Sequence, residues 1–468
     1  MKIITCKNYN EFSDKILGFF VKQALIKPKS NFLIPAGNTP LGFYKKLHAY
    51  EELFLTSKLF ALDEYYGVNK KESFAFFFQK QLKNLYKRLT TFNQKLLNEA
   101  FILSDFENKI KTSNNIDLAL LGLGENGHIA FNDPGSPYFS WTRKVNFSKA
   151  NLNKFKHPAN KAFTVGIQTI LGSDKIILAV WGENKKQALK ELLNNNLSAK
   201  HPATFLKMHK DLTIICDENL ISQKFEIKNP KIKILDQSTY KKQNIIVISP
   251  HPDDSAISAG GTIYKLAKNN HITNIVMTSG HRGITKNNSI QAKTDLRKKE
   301  SEQEAKLLNM NLLFLNLAFY ESGKLNKQDI IKLSNLLLNL KANILIMPDF
   351  KDNHSTHKLS ADLVKAAFKQ NEHLNKDLKE IWFYESLWLR YNMNEYNFLS
   401  FLNKNEAKAK TKAIKAHKSQ VSRNNYDEAA LALNRLRRIA DLELRLSGLG
   451  GKADQREKYV EVFMRLFN

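Results

Sequence analysis

The chain has 468 residues, 43% of them hydrophobic and 25% charged. That length suggests two domains with separate cores, and that balance belongs to a globular protein rather than a disordered one. Only Cys6 and Cys216 occur, which excludes a disulfide framework and suits a reducing cytoplasm. No apolar run approaches the roughly 18 residues of a membrane helix, and the opening MKIITCKNYNEF turns polar too early for a secretory signal. The net charge of +27 is spread along the whole chain, with no arginine-rich arm or aromatic-basic strip. A nucleic-acid partner is therefore not expected, whereas anionic small molecules suit such a surface.

In chain order, apolar runs predict strands at Asn31–Pro35, Leu59–Leu62, Ile116–Leu121, Lys175–Trp181 and Leu212–Cys216, with a helix over Lys185–Leu193. A polar stretch, Lys228–Gln243, interrupts the pattern. A second series follows, with strands at Asn244–Ser249, Asn274–Thr278, Leu312–Leu317 and Asn343–Met347. Helices are expected near Gly261–Asn269, Ala292–Leu308 and Gln328–Leu340. After about Asn403 the chain reads as helical to its end, and the lysine-rich run Lys404–Lys418 reads as a solvated helix face. Strands alternating with helices predict an α/β fold: two domains, 1–235 and 244–468, each a mainly parallel, Rossmann-like sheet flanked by helices, the second with a helical C-terminal tail.

In the first domain, LGLGENGHIAFNDP (Leu121–Pro134) is a glycine-rich strand end followed by His128, with Asp133 near enough to fold back on it. LIPAGNTPLGFYKKL is a strand, a small-residue loop and a helix start, so the backbone N–H groups of Gly37, Asn38 and Thr39 can cradle a phosphate. LFALDEYYG places Asp63 and Glu64 at a third strand end. Together these motifs resemble the glucosamine-6-phosphate deaminase/isomerase family over about residues 1–225.

By matched position the resemblance implies that Asp63 shuttles the proton between C2 and C1 during isomerisation. It also implies that His128 opens the pyranose ring, oriented by Asn126 and Asp133, and that Lys185 binds phosphate, where a solvated helix lysine is the plainer reading. No cofactor is implied for this half. Asn126 and Asp133 stand where many relatives carry Asp and Glu, and Arg143 is followed by Lys144 and Val145 rather than by the spacing of regulated members. A 6-phosphogluconolactonase-like hydrolase, or a sugar-phosphate-binding module without turnover, is the alternative for this half.

In the second domain, VISPHPDDSAISAGG puts His251, Asp253 and Asp254 just past a strand end, where α/β sheets gather their functional groups. DFKDNHSTHKL puts His354 and His357 past another. Two strand ends in one sheet can bring His251, Asp254 and His357 around a zinc ion, leaving Asp253 free. The pair of motifs resembles the PIG-L-type zinc-dependent N-acetylglucosaminyl deacetylases, over Asn244 to about Phe401. The resemblance implies zinc held by His251, Asp254 and His357, Asp253 as general base, and His354 steadying the oxyanion. Ser255 stands where an acidic residue is common in the family. The expected whole is a bifunctional cytoplasmic enzyme of amino-sugar metabolism acting on small molecules, with self-association left open.

Overall fold

The computed structural model describes residues 1–92, 98–147, 152, 158–194, 196–221, 232–285, 288–392, 395–444 and 457–468. The chain divides into two units, Met1–Lys228 and Asn229–Asn468. The first therefore ends earlier than the expected 235, because the short strand Lys233–Ile234 hydrogen-bonds into the second unit's sheet. Within the expected linker, residues 228–231 lie outside the described residues.

Among the described residues, ten strands build the first unit: β1 (Lys2–Cys6), β2 (Asn31–Ile34), β3 (Lys58–Ala61), β4 (Asp63–Tyr65), β5 (Leu89–Thr90), β6 (Leu118–Gly122), β7 (Arg143–Asn146), β8 (Lys161–Thr164), β9 (Lys175–Val180) and β10 (Leu212–Asp217). Seven form a parallel sheet in the order β1-β10-β9-β6-β2-β3-β5. Its central strands are continuous apolar runs because both faces are covered, as Phe32, Leu33 and Ile34 of β2 illustrate. The helix Tyr9–Ile26 is started by Asn8, whose side chain accepts the Glu11 N–H at 2.9 Å. It buries Phe12, Ile16 and Phe20, and Phe20 stacks on Phe32 at 4.8 Å between ring centroids. A small antiparallel sheet, β4-β8-β7, sits beyond the end of β3.

In the second unit the strands are β11 (Lys233–Ile234), β12 (Asn244–Ser249), β13 (His271–Val276), β14 (Asn311–Phe314), β15 (Ile344–Pro348), β16 (Glu380–Tyr384), β17 (Phe398–Leu402) and β18 (Tyr459–Phe467). The order is β11-β17-β18-β16-β15-β12-β13-β14, with β16 through β14 parallel. Both units thus have the expected mainly parallel, helix-flanked, Rossmann-like sheets.

Three further expectations change. In the lysine-rich run read as a solvated helix face, Glu406 and Lys410 are buried, and Lys410 Nζ donates to Glu461 Oε1 at 2.6 Å, so that helix packs one face inward. The helix predicted near Gly261–Asn269 runs from Asp254 to Leu266, because it starts directly on the polar turn that ends β12. Helices do follow Asn403, at Lys404–Ala416, Lys418–Val421 and Tyr426–Leu444, but Tyr459–Phe467 is a strand that pairs antiparallel with both β16 and β17. Its run YVEVFMRLF, with Val460, Val462, Phe463 and Leu466 buried, is rich in the aromatic and β-branched residues that suit a pleated surface. Residues 445–456 lie outside the described residues.

Candidate active sites

The first site rests on four neighbouring strands. β9, β6, β2 and β3 lie side by side and point the same way, so the loops after them share one edge of the sheet. These loops carry Lys185, Asn126 to Asp133, Gly37 to Thr39 and Asp63.

His128 is placed most closely. Its Nδ1 lies 2.6 Å from Asn126 Oδ1, which also accepts the His128 backbone N–H at 3.1 Å. An amide oxygen only accepts, so Nδ1 points a proton at it, and in the neutral ring the lone pair is then on Nε2. Asp133 stands at ion-pair distance from the same ring, Oδ1 to Nδ1 3.6 Å. The ring lies so close over Gly124 that a Cβ there would meet its Cε1 and Nδ1 at 2.3 Å.

Asp63 is buried at the head of β4. Burial first, and the neighbouring Glu64 charge second, push its carboxyl well above the usual range. Glu64 itself is spent on structure, accepting the N–H groups of Phe74 at 2.8 Å and Ala75 at 2.7 Å at the start of the helix Phe74–Leu82. The two adjacent carboxylates therefore have separate employments.

Gly37 takes φ +108°, which an L side chain rarely adopts, and turns the chain from β2 into the helix Leu41–Leu47. This loop is tied from outside by Tyr9, whose hydroxyl lies 2.9 Å from Thr39 O and accepts the Gly42 N–H at 3.0 Å. No local pattern in the sequence marked Tyr9. Lys185 sits in the single turn Glu183–Lys185 that precedes the helix Lys186–Asn194. The adjacent Asn184 donates to Glu125 Oε1 at 2.6 Å, fastening this loop to the one that carries His128.

The second site forms where β12 and β15, direct neighbours, end together. Asp254 begins the helix Asp254–Leu266. Its Oδ2 accepts the His251 N–H at 2.7 Å and lies 3.1 Å from His251 Nδ1 and 3.2 Å from His357 Nε2. One ring nitrogen each from His251, His354 and His357 lies within 4.8 Å of the other two. His251, Asp254, His354 and His357 are thus brought together, and His354, expected beside the ligand set, stands within the histidine cluster that could hold an ion.

Asp352, which sequence reasoning passed over, orders this cluster. Its Oδ2 lies 2.9 Å from His357 Nδ1 and accepts the Ser386 hydroxyl at 2.7 Å, while its Oδ1 accepts the His354 N–H at 2.8 Å. Its spacing, two residues before His354, was the available signal. Burial pulls the His357 pKa down, but the charge of Asp254 and hydrogen bonds to Asp254 and Asp352 outweigh it and raise the value to about 10. His354 goes the other way, to about 4, through burial and then the charges of His251 and His357. Asp254 is held well below its usual value, since the two histidines overcome its burial.

This donor set suits zinc: nitrogen and carboxylate ligands, one histidine backed by a carboxylate, and a buried ring nitrogen, His354 Nδ1, that has no hydrogen-bond partner among the described residues. Asp253 Oδ1 accepts from Arg297 Nη2 at 2.8 Å. Ser255 donates to Glu304, so a carboxylate does stand beside this position, supplied from another helix. The rings of Trp388, at 5.0 Å from His357, and Tyr320, at 6.0 Å from His251, flank the cluster.

Residues 21–215 match the family of glucosamine-6-phosphate isomerases and 6-phosphogluconolactonases, and residues 246–368 match the GlcNAc-PI de-N-acetylase (PIG-L) family. A glucosamine-6-phosphate deaminase of Clostridium novyi is 35% identical over 241 residues, which are 48% of this chain and 100% of that one. One of Mycoplasma mycoides is 35% identical over 243 residues, 49% of this chain and 99% of that one. Among solved structures, a monomeric glucosamine-6-phosphate deaminase is 31% identical, covering 47% of this chain and 98% of its own with a TM-score of 0.44. An N,N'-diacetylchitobiose deacetylase from Pyrococcus horikoshii is 24% identical, covering 47% and 82% with a TM-score of 0.38. Through its first half the chain belongs to the glucosamine-6-phosphate deaminase family, and its second half carries a domain of the PIG-L de-N-acetylase family.

Proposed function

We propose that the chain is a two-site amino-sugar enzyme. The first site converts glucosamine 6-phosphate and water to fructose 6-phosphate and ammonia, and the second hydrolyses the amide of an N-acetylglucosamine derivative to acetate and a free amine. Identity along the whole length of a deaminase carries the first half of this reading. The convergence of His251, Asp254, His354 and His357 carries the second.

In the first site His128 Nε2, free of the proton that Asn126 holds on Nδ1, takes the sugar hydroxyl proton and opens the ring. Asp63, ionised, then removes the C2 proton and returns it at C1. Its raised pKa makes it a stronger base than an exposed carboxylate. The loop Gly37–Thr39 and Lys185 receive the phosphate at the same sheet edge. A lactonase would need no enolising base, and the buried, basic Asp63 favours the deaminase.

In the second site His251, Asp254 and His357 would hold zinc, which supplies Lewis acidity toward the amide carbonyl and an attacking water. Asp253 stays outside that set and takes the proton of the water, then passes it to the departing amine. His354, neutral down to about pH 4, faces the developing oxyanion. Asp352 holds the proton of His357 on Nδ1 and so turns Nε2 inward.

The test is acetate and ammonia release from N-acetylglucosamine, its 6-phosphate, N,N'-diacetylchitobiose and glucosamine 6-phosphate. Ammonia from the last and acetate from at least one acetylated sugar are expected. Silence in either channel removes that half of the reading.

A further inference from the structure

Asp253 is held by a buried chain of polar groups that runs out of the region matched to the de-N-acetylase family. Arg297, on the helix Ile290–Leu308 and only 1% exposed, donates through Nη2 to Asp253 Oδ1 at 2.8 Å and through Nη1 to Glu300 Oε2 at 3.4 Å. Glu300 has both oxygens engaged by one residue: Oε1 accepts the Ser419 N–H and Oε2 the Ser419 hydroxyl, each at 2.7 Å. Ser419 lies on the short helix Lys418–Val421. Its neighbour His417, fully buried, lies 2.7 Å from Glu304 Oε2 and 4.0 Å from Glu300 Oε2. Gln420, next in line, donates to Gly283 O at 3.2 Å. Residues 417–420 lie well past the family match, which ends at 368.

A guanidinium is a rigid planar fork, so its direction is set by whatever fills its other side. Glu300 fills that side here, and Ser419 fixes Glu300 by two bonds. We propose that Arg297, Glu300 and Ser419 are positioning residues that aim Asp253. The helical segment after Asn403 is on this view a working part of the second active site rather than an appendage. The inference rests on the reading of Asp253 as the base.

Buried hydrogen bonds to charged groups act strongly and cooperatively, and a base that drifts by roughly 1 Å loses about a hundredfold in rate at worst. The experiment measures acetate release by the full chain from N-acetylglucosamine, its 6-phosphate and N,N'-diacetylchitobiose, with zinc content and melting temperature measured on the same samples. Ser419→Ala should lower kcat at least roughly fivefold, in the range of coupling between residues of one network, with KM and zinc content unchanged. Ser419→Thr, which keeps the hydroxyl and the N–H, should restore it to within about twofold of the unaltered chain. A merely structural role would lower the melting temperature and leave kcat per zinc-loaded molecule unmoved, and that result overturns the relay. A kcat loss that follows zinc loss, or one that threonine does not repair, overturns it too. Asp253→Asn is the separating arm: full acetate release by that variant removes the base itself and the relay with it. An inactive Asp253→Asn beside a fully active Ser419→Ala removes only the relay.

Discussion

Gly124 offers a sharp test of the first site, because its role is a matter of space alone. A Cβ on this residue would lie 2.3 Å from Cε1 and Nδ1 of His128 and 2.4 Å from Cγ, so the whole edge of the ring is in the way. Ordinary carbon contacts begin near 3.5 Å, so the imidazole must withdraw by roughly 1 Å. The Asn126 hydrogen bond at 2.6 Å does not survive such a shift in its present geometry. Misplacement on that scale costs about a hundredfold, within the ~10²–10⁴ that a positioned acid or base contributes. Gly124→Ala should therefore lower kcat/KM for ammonia release from glucosamine 6-phosphate by roughly two orders of magnitude, while acetate release stays unchanged. Gly18→Ala is the matched control. It lies in the helix Tyr9–Ile26 with nothing within 4 Å of its added methyl, and it should keep full activity. Ammonia release by Gly124→Ala within about threefold of the unaltered chain would refute the placement of His128.

Asp63→Asn should cost at least roughly a hundredfold in deamination. Because burial raises the folded-state pKa of Asp63, its contribution to stability is present below its ordinary range and lost as pH rises through the raised value. The amide should then melt higher than the parent at neutral pH, a gain that vanishes in acid, as a pH series of melting curves will show. Lys185→Ala should weaken glucosamine 6-phosphate about tenfold or more, in line with one charge-assisted bond, and barely affect unphosphorylated glucosamine, as competition assays would reveal. His251→Ala should lose zinc, whereas Asp253→Asn and His354→Gln should retain it and lose acetate release. Metal analysis of the three variants decides whether His354 belongs to the ligand set. In the metal-free chain His357 keeps its proton up to about pH 10, so zinc must displace it and affinity should climb with pH below that value. Titrations at pH 6, 7 and 8 that show no such rise would contradict the pairing of His357 with Asp254 and Asp352.

Much of both sites could be read from the sequence because each expected residue follows an apolar run directly. Strand ends in a parallel sheet share one edge, so HPDD after β12 and the two histidines after β15 had to meet once those strands were neighbours. The same holds for the loops after β2, β3, β6 and β9. What escaped were partners without local periodicity. Arg297 reaches Asp253 across 44 residues of sequence from an otherwise ordinary charged helix. Tyr9 ties a loop that begins nearly thirty positions later. The start of the helix at Asp254 was missed because a functional turn and a helix N-terminus occupy the same residues. The strand Tyr459–Phe467 was missed because its context, a long helical stretch, outweighed its own composition.

That strand has a consequence for how the molecule is made. β18 comes last in the chain yet lies inside the sheet, between β16 and β17, with buried Glu461 accepting from Gly261, Thr262 and Lys410. A ribosome adds roughly 5–20 residues each second from the N-terminus. The first unit has all its strands once Asp217 has emerged and can close its sheet while translation continues. The second unit stays split until Phe467 is made, with β16 and β17 each showing an open edge and Lys410 lacking its carboxylate. A nascent chain arrested before residue 459 should thus display a folded, protease-resistant first unit joined to a second that is still digestible.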